Sequence, residues 1–329
     1  ILGHGNQQDQ PLPKKIEAFA GQRVVAVTAG TAHSLTLTTN GSVWSWGRGA
    51  CGKLGHGDQQ DQLLPKKVEA FADQRVVAVS AGAYHSIALT ADGAVWSWGA
   101  GDYGKLGHGD SQNQFLPKKI EALAGQRVVA VSAGIDHNLA IAADGGLWSW
   151  GWGGFGQLGH GDLQNQLLPK KIEALADQRV VAVSAGGDHS LARTADGAVW
   201  SWGGGVSGKL GHGDWQNQLL PKKIVALAGQ RTVAVSAGTL HSIAITADGT
   251  VWSWGVGASG KLGHGDGQDQ LLPKKIEAFA DQHVVAVFAA SGHSIALTAD
   301  GAVFTWGKGE SGRLGHGEDQ SNQLLPKKI

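Results

Sequence analysis

Residues 76–120 read VVAVSAGAYHSIALTADGAVWSWGAGDYGKLGHGDSQNQFLPKKI, and this stretch decides the fold. Val76-Val77-Ala78-Val79-Ser80-Ala81-Gly82 is a β-branched strand that ends in small residues. Two residues later, His85-Ser86-Ile87-Ala88-Leu89-Thr90 alternates as a second strand. Asp92-Gly93 predicts a two-residue hairpin turn with positive backbone angles. Val95-Trp96-Ser97-Trp98 makes a third strand, and a long glycine-rich loop follows. Leu116-Pro117-Lys118-Lys119-Ile120 is a short fourth strand, where proline is tolerable only at an edge or a strand start. Connectors such as Glu173-Ala174-Leu175-Ala176-Asp177-Gln178 can make a single helical turn.

The same text recurs along the chain. Leu-Gly-His-Gly begins at Leu2, Leu54, Leu106, Leu158, Leu210, Leu262 and Leu314, an unbroken spacing of 52. A period near 50 belongs to four-stranded propeller blades rather than to helical solenoids. Turns equivalent to Asp92-Gly93 stand at Asn40-Gly41, Asp144-Gly145, Asp196-Gly197, Asp248-Gly249 and Asp300-Gly301. The expected fold is therefore an all-β propeller of four-stranded antiparallel blades, one domain spanning residues 1–329. Its repeats are 2–53, 54–105, 106–157, 158–209, 210–261 and 262–313, with a partial unit at 314–329. Seven full repeats would need 364 residues, 35 more than the chain has. Six complete blades are present, plus one surplus fourth strand at residues 12–16. Either six blades close, which is the preferred reading, or a seventh lacks its inner three strands.

Side-chain size within a unit agrees with radial packing. Small residues suit inner strands, where blades crowd, and paired tryptophans suit the wider wedge further out. Trp96 and Trp98, at i and i+2, share one face of their strand and are expected in the core. Lysines of the Lys-Lys pairs fall on the outermost strand, where they protect a sheet edge.

Bulk composition narrows the classes of function. Glycine reaches 52 residues, charged residues only 16%, and basic and acidic residues balance at 27 each. Net charge therefore predicts no nucleic-acid partner and no acidic membrane surface. No apolar run approaches the length of a membrane span. Cys51 is the single cysteine, which excludes an intrachain disulfide and suits a reducing compartment, cytoplasmic or nuclear. The chain starts at Ile1 and contains no methionine, as expected of a processed product, an excised fragment or an engineered chain.

The series Ala-Gly-x-x-His-Ser, Asp-Gly-x-Val-Trp-Ser-Trp-Gly, Gly-Lys-Leu-Gly-His-Gly-Asp and Leu-Pro-Lys-Lys-Ile resembles the repeat of the regulator of chromosome condensation family. The resemblance covers the whole chain and implies a propeller, typically of seven blades. It also implies two activities to weigh: guanine-nucleotide exchange on a small GTPase and UV-B sensing by plant photoreceptors. Exchange in the family depends on a wedge-like insertion, for which the even 52-residue spacing leaves no room before the last unit. Light-sensing repeats carry Gly-Trp-Arg-His-Thr. The matching slots here, from Gly30-Thr31-Ala32-His33 to Ala290-Ser291-Gly292-His293, hold no Trp-Arg pair. Bacterial propellers of similar build inhibit β-lactamases, which is protein binding in another form.

Catalytic and metal chemistry find little support. Thirteen of the fourteen histidines belong to two repeat motifs, and rotational repetition spreads equivalents around a ring instead of converging them on an ion. They are expected to hydrogen-bond their own turn or the neighbouring blade, so no metal and no cofactor is assigned. Gly-Lys-Leu-Gly-His-Gly lacks the strand–loop–helix context of a phosphate loop and reads as turn architecture.

Function is expected where the repeats diverge. Residues 54–105 and 158–209 differ at 11 of 52 positions. Several differences fall at Ala83-Tyr84 against Gly187-Asp188 and at Asp102-Tyr103 against Val206-Ser207. These lie in the loops after strands one and three, which emerge on the same face of an up-and-down blade. That face is expected to bind another protein. Its aromatic anchors are Tyr84, Tyr103, Trp152, Phe155 and Trp215, with Asp102, Asp136 and Asp188 as a polar rim.

Overall fold

The computed structural model describes residues 2–329. Six four-stranded antiparallel sheets follow one another, each with its strands in simple sequence order, as propeller blades require. Blades 1–6 span residues 24–67, 76–119, 128–171, 180–223, 232–275 and 284–328. Short 3-10 turns are the only helical segments among the described residues, and the connector turn is one of them, as at Glu173–Leu175. The chain divides into two compact units. Unit 1 holds blades 1–3, from Lys15–Gly154 and Gln164–Ala176, with the chain up to Gln8. Unit 2 holds blades 4–6, from Phe155–Leu163 and Asp177–Ile329, with Asp9–Lys14.

Within blade 2, His85–Thr90 pairs on one side with Val76–Ala81 and on the other with Val95–Gly99. The hairpin differs from its expected form. Thr90 N–H bonds the Ala94 carbonyl at 3.0 Å, which leaves a three-residue loop. Only Gly93 has a positive φ, at 88°. Asp92 is held back because its Oδ1 accepts from the Thr90 hydroxyl at 2.5 Å and from Ala94 N–H at 3.3 Å. Glycine alone therefore supplies the left-handed residue. The Thr90 hydrogen bond also holds the Asp92 carboxyl below its usual range.

The fourth strand, Gln114–Lys119, forms the outer edge. Its register against the third strand shifts between Ser97–Lys118 and Gly99–Gln114, so Pro117 falls in a bulge where no ladder bond is needed. Lys66, Lys118, Lys170 and Lys222 on these strands are exposed, as the edge assignment requires.

The surplus segment does not form the fourth strand expected at residues 12–16. No third strand pairs with it among the described residues. Instead, in unit 2, the Pro11 carbonyl accepts from Gly317 N–H at 2.9 Å, and a Cβ built on Gly312 would meet Pro11 Cα at 2.5 Å. Six blades are formed, and residues 10–13 lie against the last loop as an extended strap.

Seams between blades form the core. In unit 1, Leu35, Leu37 and Val43 of blade 1 meet Val76, Ala81, Ala88 and Trp98 of blade 2, joined by Val68 and Phe71 of the connector. Trp96 packs against the same cluster, so both tryptophans of a pair do face one seam. Phe71 meets each ring edge-on at a centroid distance of 5.7 Å.

The Ala-Gly-x-x-His motif has a steric cause. A Cβ on Gly82 would lie 2.2 Å from His85 Cε1 and 2.7 Å from the Gly134 carbonyl of the next blade. Gly82→Ala is expected to cost about 1–3 kcal/mol, read as a lower denaturant midpoint. An unchanged midpoint would show that the seam has slack.

Candidate functional site

The two histidine series do different structural work. The first series bridges seams. His33 Nε2 donates to Ser86 Oγ at 2.9 Å, and that hydroxyl donates onward to the Lys53 carbonyl at 2.8 Å. Trp98 Nε1 donates to the same carbonyl at 2.9 Å. In the next seam Asn138 replaces serine, taking His85 Nε2–H at 2.7 Å and giving Nδ2–H to the Lys105 carbonyl at 2.6 Å. The second series stays local, with His56 Nε2 on Ser45 Oγ and His108 Nε2 on Ser97 Oγ. Both roles match those expected from the repeats. Among the described residues no three His, Cys, Asp or Glu side chains group as a metal site would require.

The loop side of unit 1 gathers five of the singled-out residues around two buried lysines. Lys53 Nζ sits 5.1 Å from the centre of the Tyr84 ring, a cation–π contact. Lys105 Nζ is 2.7 Å from Asp136 and 3.6 Å from Asp102. Asp136 is thus committed to a buried ammonium, while the Asp102 carboxylate stays open to solvent. Tyr103 and Trp152 stand as neighbouring rings, 6.1 Å between centroids and tilted by 40°. Tyr84 and Tyr103 are 47% and 48% exposed, a large apolar area for side chains that no core needs.

Tyr103 also holds a left-handed backbone, φ 59°, where glycine would be at ease. Cys51, Ser207, Ser259 and Ser311 take the same conformation in other blades, so the loop geometry is common and the ring is the variable.

In unit 2, Trp215 is 64% exposed and Phe155 is also exposed. Asp188 is paired with the buried Lys209 at 2.6 Å, so its carboxylate, like that of Asp136, is taken up inside the protein. Of the three aspartates expected as a polar rim, only Asp102 keeps its carboxylate mostly in solvent, beside its longer contact with Lys105.

Sequence reading missed the buried lysines Lys53, Lys105, Lys209 and Lys261. Their signal was available. The residue before Leu-Gly-His-Gly is lysine four times among the complete repeats, while Asp, Tyr, Leu and Gly vary in the slots before the repeat histidines.

Stacked four-stranded blades with a uniform core and variable loops define a β-propeller repeat protein. The sequence profile of the RCC1-like domain matches residues 1–329, and the chain belongs to that family. It is 37% identical to the ultraviolet-B receptor UVR8 of Arabidopsis thaliana over 318 residues, covering 96% of this chain and 72% of the receptor. It is 39% identical to the human E3 ubiquitin-protein ligase HERC2 over 316 residues, but that match is 95% of this chain and 6% of the ligase.

Among solved structures, human WBSCR16 superposes with a TM-score of 0.87 at 27% identity, covering 97% of this chain and 84% of that one. Yeast RCC1 (Prp20), solved bound to Kap60, gives 0.83 at 26% identity over 93% of this chain and 74% of that one. Binding to Gsp1p and histones has been examined for Prp20p of Saccharomyces cerevisiae. No helix among the described residues is long and apolar enough to cross a membrane.

Proposed function

We propose that this chain is a non-enzymatic protein-binding propeller domain that captures a partner on its variable loops. The observation that carries the reading is the exposed pair Tyr84 and Tyr103, with the half-buried Trp152 ring beside Tyr103, next to the buried Lys105–Asp136 ion pair. Rigid aromatic rings bury much area at little entropic cost, which is what interface anchors need. Phe155 and Trp215 add exposed rings in unit 2. Protein partners of the Prp20 relative fit the same class of activity.

Tyr103→Ala with Trp152→Ala separates binding from folding. Pull-down with each form is expected to show a partner held by the wild type and lost by the double variant. The melting curve should stay within about 2 °C, because neither ring belongs to the core clusters of blades 1–3. Retained partner with a lowered melting point would assign the rings to packing and defeat the proposal. Nucleotide release from a small GTPase and UV-B-dependent change of oligomer size test the two other activities known in relatives.

A further inference from the structure

Within unit 2 the strap takes the place that a fourth strand takes at the preceding seam. Between blades 5 and 6, Gly265 N–H donates to the Leu324 carbonyl at 3.0 Å, and a Cβ on Gly260 would meet Leu324 Cα at 2.6 Å. A Cβ on Gly263 would lie 3.3 Å from Pro326 Cδ. One repeat later the same three glycines are Gly317, Gly312 and Gly315. Gly317 N–H donates to the Pro11 carbonyl at 2.9 Å, and a Cβ on Gly312 would meet Pro11 Cα at 2.5 Å. A Cβ on Gly315 would lie 3.4 Å from Pro13 Cδ. The strap is therefore held as the fourth strand of a blade whose first three strands are not among the described residues.

The face of blade 6 that such strands would cover is unpaired. His241 Nε2 donates across the preceding seam to Ser294 Oγ at 2.8 Å, whereas the His293 side chain hydrogen-bonds no described residue. Ile243 and Ile245 are buried in that preceding seam, but Ile295 and Leu297 are only partly covered. Val303 is 36% exposed where Val251 is at 0%. At Gly263 the nearest atom to a Cβ would be Trp306 Nε1 at 2.9 Å, while at Gly315 it is Ile329 Cδ1 at 3.3 Å, with no tryptophan beside it. Phe288, an exposed ring, stands where Ser236 accepts the Ala289 N–H of the following blade at 2.9 Å. An incoming first strand gains an apolar contact there in place of that bond.

We propose that the strap and this face of blade 6 form a seat for a three-stranded β-meander of the repeat's own pattern. The seat continues the seams already formed between blades, so the strands that fill those seams define the occupant's chemistry. Its second strand carries Ser or Asn beside a histidine, to meet His293 as Ser294 meets His241 and Asn138 meets His85. Its third strand carries a tryptophan for the place beside Gly315 and pairs with Gln10 and Lys14, as Gly255 and Ser253 pair with Gln270 and Lys274. Main-chain hydrogen bonds of an added strand supply affinity, and the seam side chains supply specificity. A second copy of the chain does not meet this need, because each complete blade already pairs its third strand with its own fourth. The seat does not depend on the aromatic surface of the proposed function.

Residues 76–99 supply a probe with those three strands and no fourth, carried on a soluble fusion partner. Titrated into the full chain and followed by isothermal calorimetry, it is expected to bind once per chain with a Kd below about 10 µM. Val303→Asp in the chain, or Ser86→Ala with Trp98→Ala in the probe, should each weaken binding at least about tenfold. The altered probe leaves the chain untouched and carries the test if Val303→Asp misfolds. Extending the probe to residue 119 adds a fourth strand that competes with the strap, and should also weaken binding at least about tenfold. Lys118→Met in the chain, on an exposed sheet edge, should leave it unchanged. No complex at about 100 µM, or equal binding by the altered, extended or a scrambled probe, would overturn the proposal. So would dimerisation of the chain alone that Val303→Asp abolishes, which would assign the face to a second copy.

Discussion

Unfolding free energy is expected to fall by about 2 kcal/mol per seam histidine between pH 7 and pH 5. The cause is the fixed tautomer. His33 and His85 give Nε2–H to an oxygen across the seam, which leaves Nδ1 as the bare nitrogen. On His33, His85 and His241 that Nδ1 is buried and bonded to no described residue. A proton there would create a charge and an unmet donor inside the core. Burial accordingly pushes His33, His137 and His241 down to about 3 and His85 to about 4.

Each folded pKa is thus below the unfolded value of about 6.5, and between the two the unfolded chain binds more protons. Stability from these groups is complete above about pH 7 and declines as pH falls, down to the folded pKa near 3–4. With four such residues fully buried, the loss by pH 5 approaches about 8 kcal/mol, comparable with the whole stability of many domains. Hairpin carboxylates such as Asp92 titrate lower, so they do not mask the window. Urea midpoints at pH 7, 6 and 5 should drop steeply, and His241→Gln should flatten the slope by about one proton. A midpoint that stays level from pH 7 to pH 5 would refute the buried-neutral assignment.

Trp98→Ala is expected to cost about 3–5 kcal/mol. The ring is wholly buried, packs on Phe71 and sits among Leu35, Val43 and Val76. Its Nε1–H is one of two donors to the Lys53 carbonyl, so truncation leaves a cavity and a weakened seam bond together. The Leu-Gly of the preceding loop also rests on it, since a Cβ on Gly55 would come within 2.9 Å of Trp98 Nε1. Chemical denaturation of the chain should show the loss as a lower midpoint. A shift below about 1 kcal/mol would move the ring out of the core.

The sequence by itself determined the blade. A 52-residue period, strands alternating at two-residue intervals, glycine turns and edge lysines are local features, and local chain geometry suffices to interpret them. That the histidines bond either their own turn or the neighbouring blade was also legible, but which series does which emerged only once the blades were packed. What only the tertiary structure decided are contacts between residues 31 to 53 positions apart, as in Lys105–Asp136 and His33–Ser86. Whether a carboxylate is a free rim or a counterion depends on which lysine the packed blades bury beside it, from the preceding blade for Asp136 and from the same blade for Asp188. Asp136 and Asp188 therefore changed role once the blades were packed, while Asp102 kept its place at the surface. The strap at residues 10–13 shows the same limit. Its Leu-Pro-Lys-Lys text spells a fourth strand, but a strand exists only through hydrogen bonds to a neighbour, and none of the described residues supplies a third strand for it. The hairpin turn is the converse case, where an aspartate side chain bonding its own neighbours overrode the backbone preference its sequence implies.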